Sequence, residues 1–121
     1  MNRRDRGSEG EEVALRYLRD AGYQPIERNV RTRFGEIDLV MEHAGTIVFV
    51  EVRSRATARF GSALESVDRR KQRRLGRLAE SYLARRRLDG RRARFDVVGV
   101  EWQDGAPRVQ HVENAFEVES S

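Results

Sequence analysis

The segment Thr46-Ile47-Val48-Phe49-Val50-Glu51-Val52-Arg53 constrains the fold most, because it is apolar on both faces of a strand until Glu51 interrupts it. A strand with two apolar faces must be covered twice, so it belongs in the middle of a sheet with other layers above and below. The preceding Glu36–Glu42 alternates instead, which predicts Ile37, Leu39 and Met41 on one face and Glu36, Asp38 and Val40 on the other. Gly45 marks the turn between the two strands.

The rest of the chain supplies the covering layers. Ser8–Ala21 reads as a helix, with Ser8 as N-cap, Glu11 three residues on as in a capping box, and Gly22 as the stop. Its apolar stripe is Val13, Ala14, Tyr17, Leu18 and Ala21. A strand over Gln24–Asn29 follows, pushed to a sheet edge by Pro25. After a loop with Gly61, Val67–Arg87 reads as a long helix burying Leu75, Leu78, Ala79, Tyr82 and Leu83. Strands over Phe95–Trp102 and Arg108–Phe116, joined at Asp104-Gly105, close the chain. The order predicts one α/β domain over residues 1–121, with a mixed sheet covered by helices and an acidic tail at about 117–121.

Charge is unevenly spread. Residues 69–94 hold 12 basic and 2 acidic side chains, whereas residues 1–68 hold 11 and 12, and residues 95–121 hold 1 and 6. A block of this kind attracts polyanions through counterion release, and it serves equally as a solvated helix face. Helical spacing sets Arg70, Arg73, Arg74 and Arg77 on the outer face of the long helix and Lys71 on its core side. Lys71 is the only lysine beside 23 arginines. A bias towards arginine would spare a lysine that must share or lose its proton; chance survival is the other reading.

Cysteine is absent, which excludes disulfide scaffolds, zinc–thiolate and iron–sulfur sites and thiol catalysis. The longest apolar stretch, Thr46–Val52, is too short to span a bilayer, and no apolar run follows Met1-Asn2-Arg3-Arg4-Asp5-Arg6, so the expectation is a soluble cytoplasmic protein without membrane partners. His43 and His111 lack metal-ligand spacing and read as structural or surface residues; Tyr82 and Trp102 read as core.

The chemistry concentrates in Asp38 and Glu51. If Ala44-Gly45 is a two-residue loop, His43 pairs with Thr46 and Asp38 falls opposite Glu51 on one face. Two carboxylates that close repel each other and call for a cation, and oxygen donors select Mg²⁺ or Mn²⁺. Glu11 is positioned to reach in from the first helix as a third acid. The plainer alternative is a structural Glu51–Arg53 ion pair with Asp38 solvated at a sheet end.

Gly35-Glu36-Ile37-Asp38-Leu39 followed by Val48-Phe49-Val50-Glu51-Val52-Arg53-Ser54-Arg55 resembles the signature of the YraN-type family of small uncharacterised bacterial proteins. That family is a branch of the restriction-endonuclease-like PD-(D/E)xK nucleases, related to archaeal Holliday-junction resolvases. The similarity extends to Gly10-Glu11-x-x-Ala14-x-x-Tyr17-Leu18, to Gly61, Val67, Lys71 and Ala79-x-x-Tyr82-Leu83, and to Arg94-Phe95-Asp96-Val97-Val98 with Asn114-Ala115-Phe116.

The resemblance implies a restriction-endonuclease-like mixed sheet of about five strands. It implies a metal-dependent endonuclease acting on DNA rather than RNA, on structured or branched forms. Asp38 takes the place of the motif's first acid, Glu51 of its second, and Glu11 of the acid in the opening helix. Magnesium or manganese would be held by Asp38, Glu51 and the Val52 carbonyl. The motif's lysine is replaced by Arg53, which stays charged and can only orient or stabilise, so Lys71 takes over from the neighbouring helix or the fold binds without cutting. Arg55, Arg70, Arg73, Arg74, Arg77, Arg91 and Arg92 would track phosphates. A dimer, as in the related resolvases, would let two acid clusters span a branch. An interaction protein whose basic helix meets an acidic partner is the third reading.

Overall fold

A computed structural model of the chain describes residues 3–55 and 67–117. The elements run α1 (Arg3–Asp20), β1 (Gln24–Thr32), β2 (Gly35–His43), β3 (Thr46–Arg55), α2 (Arg69–Arg85), β4 (Ala93–Gln103) and β5 (Ala106–Glu117). The five strands form one sheet in the order β1-β2-β3-β4-β5. Only the β3–β4 pair is parallel; the other three are antiparallel. The sheet is therefore mixed, the fold is α/β, and β3 is central as its two apolar faces require.

Two cores flank the sheet. Val48 and Val50 of β3 pack with Leu39, Met41, Val98 and Val100 against Ala14 and Leu18 of α1. Ile47 and Phe49 pack on the opposite side with Val97 and Phe95 against Leu75, Leu78, Ala79, Tyr82 and Leu83 of α2. All five predicted α2 core residues are buried, because a 3.6-residue period puts them on one stripe. A parallel pair needs a crossover, and the segment containing α2 provides it.

Several boundaries differ from expectation. Helix α1 begins at Arg3, so Ser8 lies within it and does not cap it; the arginines before it are good helix formers and extend the helix past the local capping signal. Tyr17 is partly exposed and Ala21 exposed, so the buried stripe of α1 is narrower than its apolar pattern. The stop at Gly22 holds: its φ is 95°, and its amide and that of Tyr23 bond the Arg19 and Leu18 carbonyls at 3.0 and 2.9 Å. Helix α2 starts one residue after Asp68, whose side chain accepts the Lys71 amide at 2.9 Å as N-cap. Strand β5 runs from Ala106 to Glu117, so it takes in the first residue expected of the acidic tail. The Gly61 loop and residues 118–121 lie outside the described residues.

The face assignment of Ile37 is also corrected. Leu39 and Met41 pack on the α1 side, but Ile37 packs with the α2-side core. The cause is an irregularity between β1 and β2. Asn29 adopts a left-handed φ of 50° and stands, by register, across from Asp38, between the pairs Arg28–Leu39 and Val30–Ile37. Simple alternation fails there. No described helix is long and apolar enough to cross a membrane.

Candidate functional site

The two-residue turn sets the register. Ala44 and Gly45 have φ of 51° and 83°, and His43 pairs with Thr46 as expected. The β2–β3 ladder then runs to Leu39–Val50. One step further, Asp38 turns its carboxylate onto the β3 backbone, where Oδ2 accepts the Val52 amide at 2.8 Å. Glu51, 7% exposed, occupies the α2 side of β3 beyond Phe49. Burial first, and then the Glu51 charge, push the Asp38 carboxyl up to about 7 against the opposing pull of the Val52 hydrogen bond. Glu11 and Glu36 add smaller upward contributions.

Cations from two elements face Glu51. The Lys71 ammonium lies 3.4 Å from Glu51 Oε1, and Arg53 Nε lies 3.7 Å from the same oxygen. Lys71 is brought in by the first turn of α2, whose start the Asp68 cap defines. Arg53 Nε is buried and makes no hydrogen bond, so its contact with Glu51 is a loose ion pair. Of the two, the lysine is the nearer cation.

Glu11 is held differently. With the Asn29 amide oriented to satisfy its surroundings, its nitrogen donates to Glu11 Oε1 at 2.9 Å and to Glu36 Oε1 at 2.8 Å. Burial, followed by the neighbouring Glu36 charge, raises the Glu11 carboxyl above its usual range. Its charge is felt at Asp38, but its side chain is tied to β1. Among the described residues, no three acidic or histidine side chains converge on one metal-binding point. The donor set still suits a hard cation of the magnesium type, which takes one or two protein carboxylates and completes its shell with water and phosphate.

The basic residues divide into free and engaged groups. Arg70, Arg73, Arg74 and Arg77 are exposed along the outer face of α2, and Arg92 is exposed after it. Arg91 is bound to the Glu42 carboxylate and to the Gly45 carbonyl at 3.0 Å. The Arg55 side chain lies outside the described residues.

Four groups escaped the sequence reading. Asn29 and Glu36 surround Glu11 as above. Asp96, fully buried, accepts from Arg94 Nε at 2.9 Å, Tyr23 Oη at 3.0 Å and the Asn114 amide at 3.0 Å, and pairs with His111 Nε2 at 2.7 Å. Glu101, 2% exposed, lies on the α2 side of β4 with one carboxylate oxygen lacking a hydrogen bond. The signal for Asp96 and Glu101 was the one that singled out Glu51: an acid inside an otherwise apolar strand. His43 stacks on Tyr23 at 4.1 Å, and His111 is edge-on to Tyr17, so both histidines sit within the packing around Asp96. Tyr82 buries its ring and donates its hydroxyl to Glu27 at 3.1 Å.

Together these features define a small α/β protein in which a covered sheet face carries the buried Glu51, answered by a lysine from the crossing helix. The chain belongs to the UPF0102 family: the model of that uncharacterised protein family matches residues 10–100. A UPF0102 protein of Moorella thermoacetica is 52% identical over 113 residues, covering 93% of each chain. One of Symbiobacterium thermophilum is 49% identical over 111 residues, 91% of this chain and 94% of the relative. One of Persephonella marina is 42% identical over 114 residues, 94% of this chain and 95% of the relative.

Proposed function

We propose that the protein is a divalent-metal-dependent endonuclease that hydrolyses phosphodiester bonds in DNA, with structured or branched DNA as its substrate. The observation that carries this reading is the buried Glu51, with the half-buried Asp38 near enough to feel its charge and the Lys71 ammonium 3.4 Å away. Burying two like charges side by side is costly, and a site that does so is suited to gathering a cation. The resemblance of the flanking motifs to PD-(D/E)xK nucleases supports the same chemistry.

Asp38, Glu51 and the Val52 carbonyl would hold magnesium or manganese. When bound, the ion polarises a phosphate oxygen and lowers the pKa of an attacking water. The water oxygen would bond to phosphorus as the bond to the leaving oxygen breaks; the water releases one proton to solvent and the leaving oxygen takes one from solvent, giving a phosphomonoester and a hydroxyl. Lys71, 3.4 Å from Glu51, would orient the water and stabilise the charge that develops on phosphorus. Arg53, permanently protonated, adds positive potential but accepts no proton. The outer arginines of α2 hold the backbone without reading bases.

The test is incubation with labelled duplex, flapped and four-way DNA in magnesium, manganese or EDTA. Metal-dependent products that vanish in Asp38→Ala and in Glu51→Ala are expected. Arg53 in the lysine position favours one second reading, a nuclease-fold module that binds without cutting. DNA binding that survives both substitutions, with no products from the wild type, would establish that module instead.

A further inference from the structure

Along α2, the helix and β5 enclose an open groove of about 620 Å³. Arg69, Arg73 and Arg77 line it, with Gln72, Gly76, Phe116 and one carboxylate, Glu80, which pairs with none of the three. The three arginines are four residues apart, so they form one row with a rise of about 6 Å per step. That step is of the order of the spacing between successive phosphates of an extended strand.

Two observations mark the row as a binding surface and not merely a solvated one. Elsewhere, guanidinium groups are often neutralised: Arg28 by Glu12, Arg31 by Glu36, Arg86 by Glu27, Arg91 by Glu42 and Arg94 by Asp96. Arg69, Arg73 and Arg77 have no carboxylate partner among the described residues. The second observation is Gly76. A glycine inside a helix costs roughly 0.5–1 kcal/mol relative to alanine, and such a residue is used where a backbone or ligand must come close. Among the described residues, nothing beyond the helix's own neighbouring backbone lies within 4 Å of a Cβ built at Gly76, so their packing does not require the glycine.

Phe116 supplies an apolar wall. One side of its ring stacks on Phe95 at 4.5 Å, and the residue is only partly buried. A row of cations beside an aromatic platform is the arrangement that grips single strands, with phosphates on the cations and bases stacked on the ring. The Arg69–Gln72 end of the groove adjoins Lys71, the residue that reaches Glu51.

We infer that this groove binds an unpaired nucleic-acid strand, with Arg69, Arg73 and Arg77 on its phosphates, Phe116 under a base and Gly76 giving the strand room to approach α2. The inference rests on the nucleic-acid reading above and names the form of substrate: DNA with a single-stranded arm next to the cleaved duplex.

The experiment measures anisotropy of a labelled oligothymidylate of about 12 nucleotides, in EDTA so that cleavage plays no part. Arg69→Ala/Arg73→Ala/Arg77→Ala should weaken binding by at least about 10-fold and reduce the salt slope by about 2, since each single-strand phosphate contact contributes about 0.7. Phe116→Leu, which keeps apolar volume over Phe95, should weaken it by about 5-fold or more. Gly76→Ala should raise the melting temperature while lowering affinity, a pair of opposite signs that a purely structural glycine would not produce.

Equal losses from Arg16→Ala/Arg19→Ala on exposed α1, or equal binding of a polyglutamate of matched charge, would overturn the inference. So would unchanged affinity in the Arg and Phe116 variants. The outcome is separable from that of the nuclease proposal. Strand binding that depends on Arg73 in a protein that cuts nothing keeps the groove and ends the hydrolase. Metal-dependent cutting with strand binding indifferent to these residues does the reverse.

Discussion

Lys71 Nζ stands 3.4 Å from Glu51 Oε1, closer than Arg53 Nε at 3.7 Å, so the chain's only lysine is the first cation met by the buried acid. Its side chain is 23% exposed, open enough to meet a phosphate yet near enough to Glu51 to share its field. Under the proposed function, Lys71→Ala should lower the cleavage rate by about 10²–10³-fold, the usual cost of losing one stabilising donor at a reacting centre. Binding of uncut DNA in EDTA should change little. Lys71→Arg separates charge from proton exchange: recovery of full cleavage would show that positive charge alone suffices, because arginine does not deprotonate. Single-turnover cleavage rates of the three proteins make the comparison.

Asp38 gives the metal-free protein an unusual pH dependence. Its carboxyl is pushed from 3.8 up to about 7, so the folded state holds the proton more tightly than the unfolded state. Between those values the folded protein binds more protons, and its stability falls as pH rises through the window, then levels off above about 7. Asp38→Asn, whose amide oxygen can still accept the Val52 amide, should therefore melt above the wild type at pH 8, with the difference shrinking towards pH 4. Magnesium or manganese should raise the wild-type melting temperature at pH 8 and leave Asp38→Asn unmoved. Thermal melts across the pH range, with and without metal, decide this; a wild type insensitive to both would remove the cation from the site.

Asp96 behaves in the opposite sense. Burial alone would raise its carboxyl, but hydrogen bonds from His111, Arg94 and the Asn114 amide outweigh burial and hold it at about 2. That contribution is complete above the ordinary value of 3.8 and is lost as pH falls towards about 2. Asp96→Ala removes the acceptor shared by Tyr23, Arg94, His111 and Asn114 and strands the half-buried Arg94 guanidinium. The expected cost is about 3–5 kcal/mol at pH 7, the range for breaking a buried pair by deleting one partner. Urea denaturation at pH 7 measures it. A loss below about 1 kcal/mol, typical of an ordinary solvated hydrogen bond, would show that the network is not what anchors β5 to β4.

How much of the fold and site is legible in the sequence depends on how regular each segment is. The α2 core residues repeat at helical spacing, and Ala44-Gly45 permits one tight turn, so the His43–Thr46 pairing and the ladder as far as Leu39–Val50 followed from counting along two strands. Ile37 was misplaced because Asn29, across from Asp38, takes a left-handed backbone that periodicity cannot register. Ser8 looked like a cap because capping signals are local, whereas the helix continues through favourable residues before it. The Asp96 network joins α1's end, β4 and β5 over 73 and 15 residues of separation, and no short-range pattern announces such partners. The same holds for Asn29 and Glu11, which meet only once the sheet has formed.

Gly10 fixes how closely α1 approaches the site. A Cβ at this position would lie 1.7 Å from Ser54 Oγ and 3.0 Å from Ser54 Cβ in β3. The hydroxyl can rotate away, but the Ser54 Cβ cannot, so alanine must push the helix off the strand. Overpacking of this kind costs about 1–3 kcal/mol, offset in part by alanine's better helix propensity. The displacement acts on the adjacent Glu11, whose bond to Asn29 at 2.9 Å depends on that approach. Gly10→Ala should therefore destabilise the protein and weaken metal-dependent cleavage together. Gly10→Ala/Ser54→Gly restores the space, so its stability should exceed the sum of the two single changes by about 1 kcal/mol or more, the coupling expected of residues in direct contact. A double-mutant cycle in urea measures that coupling, and additive behaviour would show that α1 does not rest on Ser54.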